Sequence, residues 1–236
     1  FGLTHPTGVQ QIAIDVQVQE GAQARVLSHC LFPVAQSAQH RMQAVMTIGP
    51  GASLTYTEGH YHGPHGGMQV LPHATIKIGK GARYFSDFSL LSGSVGNLDI
   101  VYLVEVEEEG LAELSAKIFG HKTDRITLKE SVILRGQRSR SLIKTRVVLE
   151  GDASAEITGI TEAHAKGARG HVACMEIVQG QAHARAIPIV KVFHPEAKVT
   201  HEAAIGSVDK KELETLMARG LTPEQAVELI VSGILR

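Results

Sequence analysis

The sequence predicts an all-β chain wound as a parallel β-helix, with a small α-helical hairpin at its C-terminal end. Three observations carry this. Apolar and polar residues alternate in run after run, which is the period of a strand. Short Gly/Ala turns recur between the runs: Gly21-Ala22, Gly51-Ala52, Gly81-Ala82, Gly110-Leu111-Ala112, Gly151-Asp152-Ala153 and Gly180-Gln181-Ala182. Beyond Gly206 the pattern changes to helical spacing. The turn glycines recur at a nearly constant interval, except for one longer step from Gly110 to Gly151, which holds a further turn signal at Gly136. A fixed period of this size marks a solenoid, whose coils bury their apolar faces only by stacking. An antiparallel sandwich would turn more often, every ~8–12 residues.

The strands read in order. Ile12, Ile14, Val16 and Val18 alternate with Gln11, Ala13, Asp15, Gln17 and Gln19. Leu98, Ile100, Tyr102, Val104 and Val106 share a face, as do Ala112, Leu114, Ala116 and Ile118. Ile143, Thr145, Val147 and Leu149 alternate with Lys144, Arg146 and Val148. Val and Ile favour strands, and no helical pattern separates the runs. Residues 1–206 therefore form the β core, and 207–236 a helical segment. Asp209 to Glu212 has capping-box spacing, Leu213, Leu216 and Met217 form an apolar stripe, and Gly220 suits the end of the helix. Thr222-Pro223-Glu224-Gln225 opens a second helix, with Ala226, Leu229 and Ile230 as its stripe and Gly233 as its end. A hairpin this small must pack on the β body or on a partner.

Composition removes several function classes. Lys+Arg number 23 against Asp+Glu 24, a net charge of −1, so no broadly basic surface attracts nucleic acid. Trp is absent, and Tyr 4 and Phe 6 supply a poor base-stacking platform. No apolar run approaches the ~20 residues of a membrane span. The chain opens Phe1-Gly2-Leu3 with no methionine and no signal peptide, and reads as processed or truncated. Two cysteines, Cys30 and Cys174, widely separated along the chain, suit a reducing cytoplasm. With no Gly-x-x-x-x-Gly-Lys-Ser/Thr loop, the chain has no nucleotide cradle of its own.

Three clusters hold chemistry-bearing residues. In Gly59-His60-Tyr61-His62-Gly63-Pro64-His65, His60 and His62 share a strand face and His65 returns across a turn. That is one arrangement for a metal site, with Glu58 and Asp87 as candidate carboxylates, and it supports a metal-dependent hydrolase or lyase as an alternative function. The Gly/Pro content also marks a loop, where unused histidines are common. Cys174 and Cys30 lie in strand-like stretches, where a free cysteine is ordinary core material. His201 and Glu202 are adjacent, so an extended backbone turns them to opposite faces.

The C-terminal third resembles the SufB/SufD family, the scaffold subunits of the SUF iron–sulfur cluster assembly system. The resemblance rests on Ala197-Lys198-Val199-Thr200-His201-Glu202-Ala203. It continues through Leu213, Leu216, Arg219-Gly220-Leu221, Ala226 and Leu229-Ile230-Val231-Ser232-Gly233. It is specific from about residue 140 and architectural from about residue 8. It implies a right-handed β-helix and a dimer with a second SufB/SufD-like subunit, homo- or heteromeric. It also implies an ABC-type ATPase docked on the C-terminal helices, with Leu213, Leu216, Met217, Leu229 and Ile230 as contact residues. A cysteine desulfurase system would supply sulfur, and a transient iron–sulfur cluster would form at the subunit interface. Cys174 resembles the cysteine that receives sulfur and ligates the cluster, His201 the interface histidine, and Glu202 the glutamate that follows it. Cys174 and His201 should then approach their counterparts across a dimer. Such a chain is a scaffold rather than an enzyme; a cluster-free, SufD-like structural subunit is the other reading. The match has departures: Ala173-Cys174-Met175-Glu176 stands where the family pattern is closer to Gln-Cys-Asp-Ser, and the chain is shorter than usual members.

Overall fold

The computed structural model describes residues 1–235. Fourteen strands alternate between two walls. One wall holds β1 (Thr7–Val18), β3 (Ser37–Ile48), β5 (Met68–Ile78), β7 (Gly96–Val106), β9 (Arg125–Leu134), β11 (Ser154–Ala163) and β13 (His183–Val192). The other holds β2 (Gln23–Phe32), β4 (Ser53–His62), β6 (Arg83–Ser92), β8 (Leu111–Gly120), β10 (Arg140–Leu149), β12 (Arg169–Val178) and β14 (Lys198–Gly206). Neighbours within each wall run parallel. Each coil supplies one strand to each wall, and the core lies between them. Ile100, Val104, Ile118, Ile143 and Val147 are fully buried there, on the faces that the alternation marks as apolar.

Positive φ, and not glycine itself, is what repeats at the corners. Gly21, Gly51, Gly81, Glu109, Arg138 and Gly167 all adopt positive φ, once per coil along one edge. Lys122, Gly151 and Gly180 do the same along the opposite edge. The long step from Gly110 to Gly151 is therefore a jump between edges. Corner amides donate to a carbonyl of the next coil, as Gly51 N to Lys80 O at 2.8 Å and Glu109 N to Gln137 O at 2.8 Å. Glycine takes this conformation without strain; Glu109 and Arg138 take it at a modest cost. Arg138 Nε donates to Glu109 Oε1 at 2.9 Å across the same stack.

After β14, α1 (Lys210–Met217) begins at Asp209, whose Oδ1 accepts from Glu212 N at 2.8 Å. Gly220 takes φ +99° in the connection. In α2 (Pro223–Ile234), Gln225 N donates to Thr222 Oγ1 and Thr222 N to Gln225 Oε1, a complete capping box. Gly233 stays inside this helix. α1 buries no residue. α2 lays Ala226 and Val231 inward, and Val231 and Leu235 cluster with Val148, Phe119 and Ile177 on the outer face of the wall that holds β8, β10 and β12. Val148 points out of the coil yet is fully buried, because α2 lands on it. The docked stripe is Ala226, Val231 and Leu235, so Leu229 is left 49% exposed on the far side.

Candidate functional site

Stacking makes residues one coil apart direct neighbours. Thr145 and Cys174 are register partners on β10 and β12, and Cys30 and His60 are partners on β2 and β4. All four point inward. The two cysteines thus lie on one inner face of one wall, five strand spacings apart, or about 24 Å at the usual separation.

Cys174 is 3% exposed. Glu176, two residues along the same face, is fully buried, and neither of its carboxylate oxygens has a partner. Glu130, on the facing wall, accepts from Thr145 Oγ1 at 3.2 Å. Burial pushes both carboxyls up to about 7, with Arg146 opposing this at Glu176 and Thr145 at Glu130. Burial, then Glu176 and Glu130, push the Cys174 thiol up to about 12. In this closed surrounding the group is a thiol, not a thiolate.

β14 is the last strand of its wall. Val172 pairs with His201, Ala173 with Glu202, and Cys174 with Ala203. His201 therefore shares the inner face with Cys174, offset by two residues, and Glu202 points to the other face. Both are exposed. The coil is uncovered here: Val190, Val192, Phe193 and Ile205 are 38–60% exposed. Cys174 is buried within the coil but only one strand from this open end.

The loop histidines divide. His65 lies exposed in the β4–β5 turn, outside the coil. His62, the last residue of β4, stacks on His60 with ring centroids 5.8 Å apart, and its Nε2 has no partner. Burial, then His60 and His40, hold His62 down to about 3. His60 belongs to a different group from the one that the loop spacing suggests. Its Nε2 lies 2.7 Å from Glu58 Oε1, with Cys30 and His40 beside it. Burial lowers its pKa, but Cys30 and Glu58 outweigh this and raise it to about 9. Asp87 stands on the outer face, 3.7 Å from Lys117 Nζ.

Sequence reasoning left out Glu130, Glu176, Thr145, His40 and the pairing of Cys30 with His60. The coil period is a signal that finds part of this. Thr145 stands one coil before Cys174, and Cys30 one coil before His60. The same step sets the outer ladders: Arg135 bonds Glu105, Lys191 Nζ lies 2.8 Å from Glu162 Oε1, and His171 Nδ1 lies 2.8 Å from Thr200 Oγ1. His40 and Glu130 come from the opposite wall, where no fixed step applies.

A family model described as SUF system FeS cluster assembly, SufBD core domain, matches residues 2–234. The chain belongs to the SufBD family. An iron-sulfur cluster assembly SufBD family protein of Methanocaldococcus jannaschii is 37% identical over 235 residues, covering 100% of this chain and 74% of the relative. One from Pyrococcus horikoshii is 32% identical, covering 99% of this chain and 71% of the relative. A Synechocystis member is 24% identical, covering 91% of this chain and 47% of the relative. SufBD membership places the chain in iron–sulfur cluster assembly, and the parallel solenoid with two C-terminal helices is the fold that the resemblance implies. No helix among the described residues is long and apolar enough to cross a membrane.

Proposed function

We propose that this SufBD chain is a scaffold subunit on which a nascent iron–sulfur cluster is built at the open end of the solenoid. The observation that carries this is the uncovered end formed by β13 and β14. It presents free strand edges and exposed apolar side chains, a surface suited to pairing with another chain. Cys174 sits one strand inside it, and His201 lies on the outermost strand of the same inner face. A second SufB/SufD-like subunit docked there would close the coil over both residues. Glu202, on the other face, would meet the partner or solvent.

Sulfur would reach Cys174 from a cysteine desulfurase system. The Cys174 thiolate attacks the outer sulfur of a donor persulfide; the donor S–S bond breaks, the donor leaves as thiolate, and a persulfide remains on Cys174. Losing the proton from a thiol held near 12 requires the surroundings to change first. A force-bearing partner supplies such a change. An ABC-type ATPase would grip the exposed side of the helices, where Met217 is 40% and Leu229 49% exposed and Leu213, Leu216 and Ile230 are candidate contacts. Because α2 also packs on Val148 and Ile177, the latter on β12, movement of the helix would bear on the strand that carries Cys174. The setting is cytoplasmic, and the cluster is cargo. A hydrolase on His60, His62 and His65 is disfavoured, since His65 lies outside the coil.

The burial of Cys174 against two carboxyls favours a second reading, a SufD-like subunit that completes the complex without holding cluster. Anaerobic reconstitution with iron and sulfide, in the presence of the partner subunit, separates the two. Visible absorption and iron and sulfide content per chain, lost in Cys174→Ala, are expected for the scaffold. A cluster retained in Cys174→Ala would sink the assignment of Cys174.

A further inference from the structure

The first coils hold a second constellation, about 24 Å from Cys174 by strand spacing and unrelated to the open end. Cys30, His40, Glu58 and His60 each offer one ligand atom, and these four atoms lie within 4.8 Å of one another. They are 0%, 0%, 1% and 2% exposed. β2 supplies Cys30 and β4 supplies Glu58 and His60 from one wall, while β3 supplies His40 from the facing wall.

We propose that these four residues form a closed binding site for a borderline divalent transition-metal ion of the zinc or ferrous class. The donor set is one thiolate, two imidazoles and one carboxylate, which suits such ions and not Mg²⁺ or Ca²⁺. Around an ion with bonds of about 2.0–2.3 Å, tetrahedral ligands stand roughly 3.3–3.8 Å apart. Cys30 Sγ and His40 Nε2 are already 3.8 Å apart. His60 and Glu58, at 2.7 Å, would separate by roughly 0.6 Å to admit the ion.

Two further observations point to a ligand. His40 Nδ1 lies 2.8 Å from Gln10 Oε1, which only accepts, so the proton is on Nδ1 and the lone pair of Nε2 faces Cys30. This is how a metal-binding histidine is oriented by a neighbour beyond the ligand set. Glu58 Oε2 is buried with no hydrogen-bond partner, a cost that a cation bound by this carboxylate would offset. Ser28 Oγ, 4.0 Å from Cys30 Sγ, stands near the sulfur. With four protein ligands and no exposed member, the site leaves no position for substrate. The ion would join the two walls across the first coils, and its binding would release the Cys30 thiol proton, and any imidazolium proton, to solvent.

The test uses the whole chain, kept anaerobic. Stripped protein is titrated with Co²⁺ as the spectroscopic probe. Zn²⁺ and Fe²⁺ then compete for the cobalt, and metal analysis of the protein as isolated shows which it carries. Expected is one Co²⁺ per chain, with a thiolate-to-cobalt charge-transfer band and tetrahedral ligand-field bands. These are lost in Cys30→Ser, weakened in His40→Gln and unchanged in Cys174→Ser. A parent without the bands, or bands that survive Cys30→Ser and vanish in Cys174→Ser, would overturn the site. Should Cys30→Ser not fold, alkylation of the parent decides: Zn²⁺ must slow labelling of Cys30 several-fold and leave Cys174 unaffected, and equal labelling of Cys30 with and without Zn²⁺ refutes the proposal.

Discussion

The two ends of one inner wall carry the same residue type in opposite surroundings. Cys30 faces two imidazoles and a carboxylate already paired with one of them. Cys174 faces a hydroxyl and two carboxyls, Glu130 and Glu176, with no cation on the inner face beside them among the described residues. At the first end the groups can share protons and charge among themselves. At the second, any negative charge on sulfur would sit in apolar surroundings beside groups that themselves become anions, so the proton stays on. The lesson is that burial alone does not fix the chemistry of a thiol; what shares its cavity does.

The largest expected effect lies at the first end. In metal-free protein, His60→Leu strands Glu58 as a buried, unpaired acid and should cost about 3–5 kcal/mol in denaturant unfolding. The double variant with Glu58→Leu should regain most of that. If the double variant is as unstable as the single one, the pair is not what holds this end.

At the second end the expected effect is kinetic. A thiol held near 12 has a thiolate fraction at pH 8 lower by roughly a thousandfold than an ordinary cysteine. The greater nucleophilicity of the more basic thiolate recovers part of this, and Cys174 in the folded, isolated chain should alkylate slower by roughly 30-fold or more. Glu176→Gln should speed it. Labelling of folded Cys174 at the rate seen in unfolded chain would break the contrast.

The smaller effect is on stability against pH. Glu130 and Glu176 are raised in the fold from 4.5 to about 7, so the native state holds protons that the unfolded chain has lost across that window. Their contribution is fully present below pH 4.5 and disappears as pH rises through 7, at most about 3 kcal/mol for each carboxyl. Over the same window His62 and His40, held by burial down to about 3 and about 4, push stability the other way. The carboxyls are therefore read by difference: in urea unfolding at several pH values, the slope of stability against pH should become more positive in Glu130→Gln and in Glu176→Gln. An unchanged slope in both variants would mean that the carboxyls ionise freely.

Much of this was legible from residues alone. Alternation at Leu98 to Val106 and at Ile143 to Leu149 marks faces that are buried, because a strand's side-chain period is two whatever lies around it. Thr222, Pro223 and Gln225 announce a helix start through hydrogen bonds that close within a single turn. Val148 shows the limit. It breaks the alternation as the middle of three consecutive apolar residues, yet only the docking of α2 explains it. The loop histidines show another: His60, His62 and His65 look like one group by spacing, but the backbone turns out of the coil after His62 and takes His65 with it.

The coil length, the strand faces, the helix starts and, through the motif from Ala197 to Gly233, the family all follow from residue order alone. These rest on local periodicity and short-range bonds, which a linear string contains. Tertiary structure decided which corner residue takes the positive φ, letting Glu109 and Arg138 stand where glycine is easier, and which face of α2 is buried. It also decided the company of each cysteine. His40 reaches Cys30, and Glu130 reaches Thr145 beside Cys174, from the opposite wall. Contact between walls depends on how two sheets pack face to face, and no spacing along the chain encodes that.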